Sequence, residues 1–201
     1  MPIDSVDDLL TLGECFGKLD YRVEGNERLI VDAGANIGVS ALYFLSHAPE
    51  SHVVCIEPDP RNVERLERNL ARNGLAQRAT IVRAAIGSHG GTCRFAIEKT
   101  GRYGTVIEDG KQSLSQERIE QEIVVESLAA DQFLNETMPA NGRIDVLKLD
   151  VEGQELPVLE ALSDETLSRI GMIYAEIIDG SPTLPGFRSS KQGTVVRYTR
   201  K

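Results

Sequence analysis

The sequence predicts one α/β domain built on a mostly parallel central sheet with helices on both faces, and three observations carry that expectation. Short β-rich apolar runs alternate with helix-period segments along the chain. The first two runs end in polar, turn-forming residues, Asp32 to Gly38 and Glu57 to Pro60, where an open sheet would meet a ligand. The length of 201 residues, 41% hydrophobic and 26% charged with no block of either, suits one core spanning 1–201. No fixed-period repeat or low-complexity tract interrupts it.

Residues 1–27 read as an N-terminal helical or loop segment. The first strand is Leu29 to Asp32, and Ala33 to Gly38 turns it into a helix from Val39 to His47. Val53 to Glu57 forms the second strand. Asp59 then stands where a helix cap belongs and Pro60 at the first helical position. The helix from Arg61 to Asn73 carries Val63, Leu66 and Leu70 on one face, with Asn73-Gly74 as its stop. Thr80 to Ile86 is a third strand, and Gly87 to Gly91 a turn into Thr92 to Ile97, expected to run antiparallel to a neighbour. Glu98 to Gln121 is polar, contains Gly101, Gly104 and Gly110, and reads as a long loop or lid with a short helix. There follow a strand at Glu122 to Glu126, a helix at Ala129 to Asn135, a strand at Ile144 to Asp150, a helix at Glu155 to Leu162 and a strand at Gly171 to Ile178. Only 23 residues remain after Ile178, with a last strand at Thr194 to Tyr198. The expectation is therefore an abbreviated C-terminal part or a truncated chain.

The turn after the first strand is the first candidate site. A dinucleotide fingerprint needs glycine at 34, 36 and 39, and Asn36 and Val39 occupy two of those places. The pattern acidic-x-G-x-G-x-G, associated with S-adenosylmethionine, starts at Asp32 and is met except at Asn36; a plain strand-to-helix turn is the alternative. Glu57 ends the second strand, where a carboxylate can accept from both hydroxyls of a ribose. That favours an adenosyl ligand without choosing between S-adenosylmethionine and NAD.

Four segments together resemble the FkbM family of methyltransferases: Val31 to Gly38, Ile56 to Pro58, Ala84 to Gly87 and, above all, Asp145 to Leu156. They stand in the family's order and cover about residues 29 to 178. The resemblance implies a Rossmann-like class I methyltransferase fold, S-adenosylmethionine as cofactor, and O-methylation of a small metabolite, sugar or glycan, or polyketide-like acceptor. It would set Asp32, Gly34, Ala35, Asn36 and Gly38 beside the methionine part of the cofactor. Glu57 would lie beside the ribose and Ala84 and Ala85 beside the adenine, Pro58 and Asp150 would also be cofactor-binding, and Asp150 and Glu152 would lie where donor and acceptor meet. Ala84 and Ala85 lack the polar side chain often found at that strand end, which leaves backbone groups and apolar contact to hold the base.

Methyl transfer to a hydroxyl needs an aligned acceptor and a group to take its proton. Asp150 is the first candidate, since strand alternation puts it on the same face as Lys148. Glu152 is the second, as a carboxylate that would raise Asp150's pKa. The structural alternatives are a helix cap for Asp150 and a loop-backbone hydrogen bond for Glu152. Glu176 on the next strand is expected to pair with Lys148 if buried. Tyr103 and Arg102 in the long loop would cover or hold an acceptor. An NAD-dependent oxidoreductase and a non-catalytic S-adenosylmethionine-binding protein are the competing readings.

A net charge of −9 disfavours a nucleic acid or an anionic membrane as partner. Cys15, Cys55 and Cys93 form no CxxC pair, and no residue is assigned to a metal. The acidic N-terminus lacks a secretory pattern, so a cytoplasmic location is expected. Self-association stays open.

Overall fold

The computed structural model describes residues 5–99, 103–107 and 115–201. The chain opens with α1 (Val6–Leu12), capped by Ser5, and a π-type turn over Gly13–Lys18. It continues with β1 (Leu29–Ala33), α2 (Val39–His47), β2 (His52–Ile56), α3 (Pro60–Arg72), β3 (Ala79–Val82), β4 (Ala85–Gly87) and β5 (Gly91–Glu98). Next come β6 (Gly104–Ile107), β7 (Ile119–Ala129), α4 (Ala130–Thr137), β8 (Ile144–Leu149), α5 (Glu155–Ala161), α6 (Asp164–Ser168), β9 (Ile170–Glu176), β10 (Phe187–Gln192) and β11 (Val195–Arg200).

Among the described residues, seven strands form one sheet in the order β10-β11-β9-β8-β1-β2-β3. The five from β9 to β3 are parallel, and β11 and β10 are antiparallel to their neighbours. Strand alternation divides the core. Ile30, Val53, Cys55 and Val146 face Tyr43, Phe44, Leu66 and Leu70 of α2 and α3, with Cys15 and Tyr21 of the N-terminal segment on the same side. Val31, Val54, Ile56, Leu147, Leu149 and Ile173 face Leu134 of α4 and Val158 and Leu159 of α5. Near-continuous apolar strands are what a sheet covered on both faces requires.

The cap expected on α3 is present: Asp59 accepts from the Arg61 amide at 2.9 Å, with Pro60 in the first turn. Three expectations change. The strand expected from Thr80 to Ile86 divides, its first part pairing with β2 and its last part, β4, leaving for a second sheet. The polar stretch Glu98 to Gln121 is not one loop, since β6 and the start of β7 lie within it. Among the described residues, β4, β7, β5 and β6 form a four-stranded sheet in that order, with β5 antiparallel to both β6 and β7. At the C-terminal end the sheet is complete: Phe187–Gln192 and Val195–Arg200 supply the antiparallel pair. The abbreviation falls on the connection, because residues 177–186 carry no helix. Among the described residues no helix is long and apolar enough to cross a membrane.

Candidate functional site

A cleft of about 520 Å³ opens over the C-terminal ends of β1, β2, β8 and β9. Parallel sheets bind ligands there, where the connections from neighbouring strands diverge to opposite faces. The N-terminal segment closes one side through Thr11, Glu14, Cys15 and Tyr21. The second sheet closes another through Phe95, Tyr103, Gly104 and Val106.

The turn after β1 forms the floor. The amides of Gly34 and Ala35 both donate to the Ile56 carbonyl at 3.0 Å, tying the turn to β2. Gly34 has φ +76, and a Cβ there would lie 1.8 Å from the Asp150 carbonyl oxygen, so the loop and the end of β8 touch through backbone alone. Asn36 stands where the motif has glycine; its φ of +49 is in the left-handed region that asparagine tolerates better than most residues.

Glu57 is buried at the end of β2. One carboxylate oxygen accepts from the Asn36 amide and the other from the Asp59 amide, both at 2.9 Å. Burial pushes its pKa up to about 7, against these hydrogen bonds and one from Asn62. Pro58, Ala84 and Ala85 also line the cleft, both alanines buried.

At the opposite end, Lys148 is 2% exposed, with its ammonium 3.1 Å from Asp32 and 3.3 Å from Asp150. It also donates to the Gly34 carbonyl at 3.0 Å. Burial lowers its pKa, but Asp32 and Asp150 outweigh that and the net shift is upward, so it stays charged. The Tyr21 hydroxyl is 3.5 Å from Asp150, and the Tyr21 ring centroid 5.4 Å from the Lys148 ammonium.

The expected Lys148–Glu176 pair is replaced by this arrangement. Register places Lys148 between Asp32 on β1 and Tyr174 on β9, leaving Glu176 level with Asp150. Glu176 accepts from the Thr194 hydroxyl at 2.7 Å. Burial, and next the Asp150 charge, push its pKa up to about 7.

Of the residues singled out from sequence, Gly34, Ala35, Asn36, Glu57, Pro58, Ala84, Ala85, Asp150 and Glu152 line the cleft together. Asp32 and Gly38 do not. Asp32 is fully buried behind the floor, where Ser40 donates to it at 2.6 Å, and Gly38 packs against Leu66 at the start of α2. Asp150 is no helix cap, since α5 begins at Glu155, with Gln154 in the N-cap position and no side-chain cap. Glu155 holds this loop's backbone, accepting from the amides of Val151 and Gly153 at 2.7 and 2.9 Å. Glu152 has φ +51, and its carbonyl accepts from Thr105 of β6 at 2.9 Å. Tyr103 lines the cleft, whereas Arg102 lies outside the described residues. Tyr21 and Thr194 are additions that sequence reasoning missed. Among the described residues, no group of three or more His, Cys, Asp or Glu is placed to hold a metal.

The strand order, the glycine turn after β1 and the acid ending β2 define a class I methyltransferase fold. A solved methyltransferase FkbM from Methylobacillus flagellatus has it, with TM-score 0.58 and 14% identity over 93% of this chain and 47% of that one. A methyltransferase from Geobacter sulfurreducens has it too, with TM-score 0.51 and 15% identity over 100% and 91%.

Residues 32–186 match the family model of the methyltransferase FkbM domain, and the chain belongs to that family. It is 30% identical to Methyltransferase 1 of Beauveria bassiana over 77% of this chain and 66% of that protein. It is also 30% identical to the 2-O-methyltransferase NoeI of Sinorhizobium fredii, over 78% and 66%. The chain thus spans about two thirds of the length of these relatives.

Proposed function

We propose that this chain transfers a methyl group from S-adenosylmethionine to a hydroxyl oxygen of a small metabolite, sugar or glycan. The observation that carries the reading is Glu57, a carboxylate buried in the cleft wall at the end of β2. It takes two backbone amides and Asn62, and a carboxylate has about four acceptor positions, so capacity remains for a ribose hydroxyl. Beside it, Ala84 and Ala85 make an apolar wall suited to a purine. The residues present fit the cofactor. Glu57 would hold the ribose, Pro58, Ala84 and Ala85 the base, and the backbone of Gly34, Ala35 and Asn36 the amino-acid part.

When bound, that cofactor supplies an electrophilic methyl group. The chain's own contribution is position and proton handling. Lys148 fixes Asp150 at the cleft's far end, where an acceptor hydroxyl would be aligned, and Asp150, Glu152 and Glu176 are the carboxylates available there to take its proton. The relative named as a 2-O-methyltransferase supports oxygen as the receiving atom.

Calorimetric titration with S-adenosylhomocysteine tests the cofactor. Saturable heat is expected, and no heat and no thermal shift at millimolar ligand would overturn the reading. Turnover against a panel of sugar and polyketide acceptors then separates an enzyme from a protein that only binds the cofactor.

A further inference from the structure

The acceptor end of the cleft holds more negative charge than its cation can balance. Lys148 is the one Lys or Arg among the described lining residues, and it already lies between Asp32 and Asp150. One ammonium does not neutralise Asp32, Asp150 and Glu176 together, and Asp150 and Glu176 stand level with one another at the ends of adjacent strands. The other titratable or polar groups on the cleft around them are Tyr21, Cys15 and Glu14 from the N-terminal segment, Glu152 and Glu155 after β8, Thr194 between β10 and β11, and Asp179 after β9. None of these brings a positive charge. Resting on the cofactor assignment above, a ligand with its ribose at Glu57 and its base on Ala84 and Ala85 would have its sulfur-bearing arm on the side of β1, β8 and β9.

We propose that Asp150 and Glu176 form a proton-linked carboxylate pair that tells the sulfonium donor from its thioether product: the donor binds with release of more proton than the product does. The two ligands share the same ammonium and carboxylate, so the sulfonium charge is their difference. In the empty cleft burial, and next the charge of Asp150, let Glu176 keep a proton, and a fixed positive charge beside the two carboxylates favours giving it up. Burial and Asp150 push Glu176 up to about 7, while the Thr194 hydroxyl and the charge of Lys148 oppose them. Glu176 is then about half protonated at neutral pH, and donor binding releases up to about half a proton.

The test is calorimetry of S-adenosylmethionine and S-adenosylhomocysteine, each in buffers of different ionisation enthalpy, from about pH 5.5 to about pH 8.5. The donor-to-product affinity ratio is expected to rise about tenfold across that range, with more proton released by the donor than by the product; Glu57, raised to about 7, faces the ribose that both ligands carry, so its own proton cancels in the comparison. Glu176→Gln should flatten the ratio and abolish the donor's excess release, leaving product affinity within about twofold. Thr194→Val keeps both carboxylates but removes the opposing hydrogen bond, so its midpoint should move to higher pH; it serves if the first variant folds poorly. Equal proton release by the two ligands, an unmoved midpoint in Thr194→Val, or persistent pH dependence in a folded Glu176→Gln overturns the inference while leaving the cofactor assignment intact. Failure of both ligands to bind the wild type overturns the cofactor assignment, and this inference with it.

Discussion

Lys148 shows how one buried charge can organise two functions. Its ammonium lies under the cleft with Asp32 on one side and Asp150 on the other, and Asp32 has no exposure to water. Breaking a buried pair from one side strands the other charge, which costs far more than the pair contributes against an apolar replacement. Lys148→Met should therefore destabilise the chain by about 3–5 kcal/mol in urea denaturation. Adding Asp32→Asn should restore more than half of that loss. A double variant no more stable than the single one would mean that Lys148 acts through packing rather than charge.

At the scale of elements, the contact between the turn after β1 and the end of β8 sets the cleft floor. Gly34 sits at φ +76 with the Asp150 carbonyl where a side chain would begin, while Gly74, which ends α3 at φ +69, has nothing within 4 Å. Gly34→Ala must push β1's turn away from β8 and should cost about 3 kcal/mol, whereas Gly74→Ala meets only the backbone penalty of about 1 kcal/mol. Matching melting shifts in the two variants would refute the close approach. The same elements explain what was legible in the sequence. Central parallel strands announce themselves as apolar runs because both faces are covered, and α3 carries its cap and stop in its own residues. Edge strands give no such signal. In β10, Phe187 is buried and the five residues that follow are exposed, so it reads as tail; β6 is four residues long and opens on a glycine. The turn residues and Glu57 were legible because local spacing defines them. Tyr21 meets Asp150 across 129 residues, and Asp32 meets Lys148 through strand register, neither of which a linear pattern encodes.

For the whole molecule, the same burial that equips the cleft makes the unliganded fold sensitive to pH. Glu57 has a folded pKa of about 7 against 4.5 for the free group, so between those values the folded chain holds a proton that the unfolded chain has lost. Folded-state proton uptake favours folding at low pH, so this group's contribution is fully present below about 4.5 and is lost as pH rises through about 7. The loss is about 3 kcal/mol at full ionisation. Glu176 acts in the same direction over the same window, while Asp131, whose net shift is downward despite burial because Thr166 and Ser163 hydrogen-bond to it, acts the opposite way and at lower pH. Urea denaturation of the unliganded chain should therefore show stability falling between about pH 5 and about pH 8. Glu57→Gln cannot ionise, although its amide satisfies only one of the two backbone N–H groups that the carboxylate serves. Its stability relative to wild type should improve by about 2 kcal/mol across that interval. If variant and wild type instead run parallel with pH, Glu57 is ionised throughout and solvent reaches it more freely than its burial implies.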